Sequence, residues 1–237
     1  MKTTDSKWHD RLLRPFMSKR QRQRMNAKNI AWLDRDFFTA AHAAHGSVTG
    51  IPDQRVFFLQ AALRALEPVD GDVAECGVRH GRSTLFMANV DNGRRDFHIF
   101  DSFEGLSDPS EKDGAMNVFK KDGKTRHFHI RNLDRVLKRF EAYPKIHVYQ
   151  GWIPDRFDEI ADRRFALVHV DVDLYDPTMD ALKFFWPRLN PGGMIICDDY
   201  GAVAYPGAQA AMDEFFADKI ERPVEMPSGQ AIVTKLV

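Results

Sequence analysis

The sequence has two cysteines in 237 residues, no excess of either charge, and no apolar run approaching the roughly 20 residues needed to cross a bilayer. Cys76 and Cys197 are too few for a disulfide framework. Both sit inside apolar runs, where a thiol behaves as a small hydrophobe, so reduced thiols in a cytoplasmic protein are expected. Thirty-four Lys and Arg balance 34 Asp and Glu, which argues against a chain whose main task is to grip a phosphate backbone or an anionic membrane. The opening MKTTDSKWHD lacks the apolar centre of a signal peptide. Internal repeats, low-complexity tracts, a Cys/His cluster of zinc spacing and a Ser-His-Asp or Cys-His constellation are also missing. What remains is 43% hydrophobic and 29% charged, ordinary for a folded domain, and the length suits one such domain with short extensions.

Residues 1–50 read as a helical amino-terminal arm, with Lys19, Arg20, Arg22 and Arg24 close together and no strong apolar stripe. A solvated or oligomer-facing role is expected, and the basic arm suits a homo-oligomer. Residues 51–237 read as the main domain. Val56, Leu59, Leu63 and Leu66 recur at helical spacing and lead into it. Strand-like runs DVAECGV, FHIFDSF, IHVYQGW, FALVHVDVD and GGMIICDDY then alternate with helical patterns, which predicts an α/β fold with a doubly wound, mostly parallel sheet. Pro227-Ser228-Gly229 and the last strand, QAIVTKL, predict an antiparallel hairpin at the sheet edge. Residues 105–131, rich in Asp, Lys, Gly and His, read as a lid or binding loop in which His127 and His129 alternate with Phe128.

Glu75-Cys76-Gly77-Val78-Arg79-His80-Gly81 follows a strand and opens a helix, where doubly wound proteins bring backbone close to a ligand. A dinucleotide fingerprint has glycine where this turn has Glu75. A carboxylate beside a pyrophosphate is repulsive, but it suits a ligand with an amine and a sulfonium, such as S-adenosylmethionine. Asp101, ending the second strand, is placed to accept hydrogen bonds from ribose hydroxyls. Further on, Asp171 and Asp173 end one apolar strand and Asp198 and Asp199 end the next, so the carboxyl ends of neighbouring strands gather four carboxylates. Such a group has raised pKa values unless a cation neutralises it, and all-oxygen ligation favours Mg²⁺, with Mn²⁺ or Ca²⁺ as alternatives. Asp176 reads as a helix cap, and His169 as a buried, hydrogen-bonded strand residue.

ECGVRHGRST, FDSFEGL, HVDVDLYDPT and LNPGGMIICDDYG together resemble the macrocin O-methyltransferase family, which methylates sugar hydroxyls of macrolide and aminocoumarin antibiotics with S-adenosylmethionine and Mg²⁺. The resemblance covers residues 50–237 and implies a Rossmann-like class I methyltransferase. By motif, Asp171, Asp198 and Asp199 would hold the metal (Mg²⁺ or Mn²⁺) and Asp173 would be the general base. Glu75, Gly77, Ser83 and Asp101 would line the cofactor site, with Gln150 and Trp152 near adenine. After ECGV the antibiotic enzymes commonly have Trp-Arg-Gly-Gly, whereas this chain has Arg79-His80-Gly81-Arg82. The implied acceptor is a small hydroxylated molecule, a sugar above all. Asp171-Val172-Asp173 is also the D-x-D pattern of a metal-dependent glycosyltransferase, and a cofactor-binding protein without catalysis is a further alternative.

Overall fold

The computed structural model describes residues 31–114 and 128–237. The basic cluster at 19–24 and the part of the expected lid that includes His127 lie outside the described residues.

In chain order the main elements are α1 (Asp36–His45), α2 (Asp53–Ala65), β1 (Asp72–Cys76), α3 (Arg82–Asp91), β2 (Phe97–Asp101), α4 (Leu133–Leu137), β3 (Ile146–Gln150), β4 (Phe165–Val170), α5 (Tyr175–Phe185), β5 (Leu189–Cys197), α6 (Pro206–Phe216), β6 (Val224–Glu225) and β7 (Ala231–Thr234). They form one seven-stranded sheet in the order β3-β2-β1-β4-β5-β7-β6. The first five strands run parallel, while β7 pairs antiparallel with both β5 and β6. The order reverses between β1 and β4, and a switch of this kind opens a crevice at the carboxyl ends of the strands.

Side-chain alternation explains why β4 is apolar except at His169. Val168 and Val170 enter a core with Phe165, Phe185 and Phe216 on one face, where α5 and α6 pack together. Leu167 enters a second core with Leu59, Leu63, Val73 and Ile99 on the other face, under α2 and α3. Both faces are covered, so a continuous apolar run is the only pattern that satisfies them.

The arm departs from expectation where it is described. Leu33, Phe38 and Ala41 are fully buried against Val56 and Phe86, and Trp32 and Phe37 lie against Phe57. Residues 31–45 therefore pack on the domain rather than standing in solvent. Their aromatics supply an apolar face that the preceding basic stretch obscures.

Among the described residues, no helix is long and apolar enough to cross a membrane.

Candidate active site

A cavity of about 580 Å³ opens at the carboxyl ends of β1, β2, β4 and β5. Its first wall is the turn after β1. Gly77 has φ +88°, and a Cβ there would collide with the backbone carbonyl of Asp171, so only glycine lets the ends of β1 and β4 come this close. Val78 and Arg79 N–H groups both donate to Asp101 Oδ2 at 2.7 Å, and Phe103 N–H donates to Oδ1 at 2.6 Å. Asp101 thus ties the glycine turn to the tip of β2. A carboxylate has about four lone-pair positions, so about one remains for a ligand. Ser83 and Trp152 line the same wall.

The opposite wall is acidic. Asp171, Asp173, Asp198 and Asp199 all line the cavity. Asp173 has φ +62°, an uncommon conformation for a non-glycine residue, which breaks the line of β4 just before α5. Asp198 is held on three sides. Arg55, from the first turn of α2, donates to its Oδ2, while Gln230 donates to Oδ1 at 2.8 Å and His169 Nε2 lies 3.3 Å from Oδ1. Asp199 contrasts with it: Oδ2 is buried and has no hydrogen-bond partner.

Behind this wall lies a buried polar chain. His169 Nδ1 is 2.9 Å from Glu75 Oε1, and Thr84 donates to Glu75 Oε2. β1 and β4 pair Glu75 directly with His169, and both side chains are fully buried. With a carboxylate at each ring nitrogen the imidazole is held charged. Burial opposes this, but the hydrogen bonds to Asp198 and Glu75 prevail and raise its pKa to about 9. Burial also works against the ionised form of Asp198, yet His169 and Arg55 hold its carboxyl below the usual range. Burial and the charges of neighbouring aspartates push Asp171 and Asp173 well up. Burial and the charge of Asp198 likewise raise Asp199 to about 7.

These shifts contribute to the pH dependence of the ligand-free protein and outnumber the opposing contribution of His45 and His80, whose pKa values burial lowers. An acid whose folded pKa lies above its ordinary 3.8 binds its proton more tightly when folded, so the stability it confers is lost as pH climbs, for Asp199 through about 7. His169 confers stability below its ordinary 6.5 that is lost as pH rises through about 9. Both act in one direction, whereas the contribution of Asp198 disappears only in acid. The expected result is a lower Tm at pH 8.5 than at pH 5.5 in a chelator-treated sample followed by circular dichroism; a Tm that rises across this window would contradict the arrangement.

Of the residues singled out in the sequence, Gly77, Ser83, Asp101, Trp152, Asp171, Asp173, Asp198 and Asp199 meet around one cavity. Glu75 does not line it, because it lies inside β1 and its carboxyl is spent on His169 and Thr84. Gln150 is exposed on the edge strand β3 and is also away from the lining. Asp176 is not the cap of α5. The helix starts one residue earlier, and its first N–H, from Tyr175, donates to Asp113, leaving Asp176 on the cavity wall. Of the loop at 105–131, Leu106, Ser107, Asp108 and Phe128 reach the cavity. Arg55 and Gln230 carry no motif. Their signal is weak: a cation opening an amphipathic helix, and a glutamine after a turn.

Residues 2–233 match the family model for macrocin O-methyltransferase (TylF). The chain is 33% identical over 183 residues to the 8-demethyl-8-(2,3-dimethoxy-alpha-L-rhamnosyl)-tetracenomycin-C 4'-O-methyltransferase of Streptomyces olivaceus, covering 71% of this chain and 66% of that protein. It is 30% identical over 173 residues to the mycinamicin III 3''-O-methyltransferase of Micromonospora griseorubida, covering 66% and 64%. It therefore spans slightly under two thirds of the length of these relatives. The solved structure of the O-methyltransferase NovP superposes with a TM-score of 0.68 at 23% identity, over 80% of this chain and 83% of that one. The fold is thus the Rossmann-like class I methyltransferase fold with a carboxyl-terminal antiparallel hairpin. With a family model matched along almost its whole length, the chain belongs to the macrocin O-methyltransferase family.

Proposed function

We propose that this chain is an S-adenosylmethionine-dependent, divalent-metal-dependent O-methyltransferase of the cytoplasm, acting on a hydroxyl of a sugar in a glycosylated natural product or saccharide. One observation carries the reading: a single cavity joins the glycine turn anchored by Asp101 to the acidic tips of β4 and β5. Buried, unbridged Cys76 and Cys197 suit a reducing compartment.

The acidic wall fits a hard cation. Asp171 and Asp198 each offer an oxygen within 4.8 Å of the other and of a His169 nitrogen. Asp199 adds a buried oxygen that nothing else satisfies, and burial together with the neighbouring carboxylates raises the pKa values of Asp171 and Asp199 in spite of Arg55. His169 is a poor ligand, because both of its nitrogens face carboxylates. Asp171, Asp198 and Asp199 would hold the ion, which when bound supplies Lewis acidity that lowers the pKa of an acceptor hydroxyl.

The remaining work belongs to the chain. Asp173, turned out of the strand by its left-handed backbone, accepts the hydroxyl proton as the oxygen takes the methyl group. Asp101 and the glycine turn hold the donor's ribose, Ser83 and Trp152 flank it, and no covalent enzyme intermediate is needed. Fixing donor and acceptor in line supplies much of the acceleration, since effective molarities reach about 10⁵ M or more.

The function is tested by incubating the protein with labelled S-adenosylmethionine, Mg²⁺ and a panel of glycosides and diols. Label transferred to glycosides and abolished by chelator is expected; transfer from a nucleoside diphosphate sugar instead would overturn the reading. At the donor wall, Asp101→Ala should weaken S-adenosylhomocysteine binding by about tenfold or more, the size expected when hydrogen bonds to a charged group are lost. Calorimetry reads this directly, and unchanged affinity would move the ribose site elsewhere.

A further inference from the structure

The metal ligands expected at this site all come from strand tips, but a cation arrives from outside the sheet. Arg55 opens α2, and its side chain, 17% exposed, reaches between Asp198 and the turn before β7. Its Nε donates to the Ser228 carbonyl at 3.1 Å, one terminal nitrogen donates to Asp198 Oδ2, and that nitrogen stands 3.9 Å from Asp199 Oδ1. A long cationic side chain is seldom withdrawn from water unless acids compensate it. Here those acids are the ones expected to bind the divalent ion.

We infer that Arg55 is a resident counter-charge of the metal centre, a positioning residue that shares Asp198 with the divalent ion and holds down the affinity for it. The inference rests on the metal reading of this site. The Arg55 guanidinium bonds Asp198 and stands 3.9 Å from Asp199, two of the three carboxyl groups expected to hold the ion. A cation fixed against these carboxyl groups repels a dication held by the same groups, so without Arg55 the cluster would grip the ion more tightly. The guanidinium also claims Asp198 Oδ2, while Oδ1 is occupied by Gln230 and His169. An ion that binds there must share that oxygen with Arg55. The result is a centre tight enough to order an acceptor hydroxyl and loose enough to exchange its ion. The Ser228 bond fixes the guanidinium so that this charge does not wander.

The test measures Mn²⁺ binding to chelator-treated protein by electron paramagnetic resonance, without donor or acceptor, in wild type, Arg55→Met and Arg55→Lys. Even screened as fully as in water, a unit charge about 6 Å from a dication changes affinity about tenfold. Arg55→Met should therefore bind Mn²⁺ about tenfold more tightly than wild type. Arg55→Lys, which keeps the charge, should stay within about threefold of wild type. S-adenosylhomocysteine affinity confirms that each variant is folded, and Arg55→Gln carries the same expectation as Arg55→Met should the latter not fold. Unchanged or weaker Mn²⁺ binding in Arg55→Met overturns the inference, as does equal tightening by Arg55→Lys, which would trace the effect to packing rather than charge. Failure of wild type to bind Mn²⁺ overturns the metal reading and this inference with it, whereas binding that ignores Arg55 overturns this inference alone.

Discussion

Asp173→Asn is expected to lower kcat by about 10²- to 10⁴-fold, the usual contribution of a positioned general base, while S-adenosylhomocysteine affinity stays within about twofold of wild type. The substitution keeps shape and volume and removes the negative charge, and with it the capacity to take a proton. Asparagine tolerates positive φ better than most residues, so the kink at φ +62° that aims this side chain survives. Asp173 belongs to the acidic group after β4, whereas the residues proposed to hold the donor are the glycine turn and Asp101. Single-turnover kinetics and calorimetry on the same preparation separate the two effects. Equal losses in turnover and donor affinity would remove Asp173 as the base and make it part of the scaffold.

Asp199→Asn has the second large effect, with opposite signs in two assays. The Asp199 carboxyl has a buried oxygen without a partner and a pKa raised to about 7 by burial and the Asp198 charge. Loss of an outer-shell partner alone typically costs 10–100-fold in metal affinity, so loss of this ligand should cost at least about 100-fold. In the metal-free protein at pH 8, the same change removes a crowded negative charge and should raise the Tm. Weak Mn²⁺ binding together with a higher apo Tm is the signature of a ligand kept for the ion at the expense of the fold. Undiminished Mn²⁺ affinity would show that Asp199 is not a ligand. Asp198→Asn is a less clean probe, because it also strips Arg55 and His169 of their shared acceptor.

The sequence made the strand tips legible because buried parallel strands leave a period-free apolar run that ends abruptly in acids, as FALVHVDVD and GGMIICDDY do. The central parallel strands and the four aspartates at their tips follow from that pattern, Gly77 and Asp101 from the glycine turn and the end of the second strand, and Ser83 and Trp152 from the family resemblance alone. Glu75 was harder to read. The turn motif suggests that it faces the ligand, yet β1 continues to Cys76, so Glu75 is a strand residue whose neighbour in register is His169. Two polar residues in adjacent apolar strands are themselves the clue, since burying either alone is costly and burying them together is not. Gln150 is exposed at the end of the edge strand β3 and does not line the cavity, and Asp176 is not the cap because Asp113, 63 positions earlier, takes that role. Arg55 lies 143 residues from Asp198, and no local pattern records a contact formed only when the helix docks.

The Cα of Gly77 rests against the carbonyl of Asp171. The reach between the two halves of the reaction is thereby machined into main chain, where no rotamer can alter it. Leu106, Asp108 and Phe128 reach the same cavity from the stretch between β2 and α4, outside that contact. If the proposed chemistry holds, side chains there could be exchanged to suit another acceptor without recalibrating the distance over which the methyl group would travel.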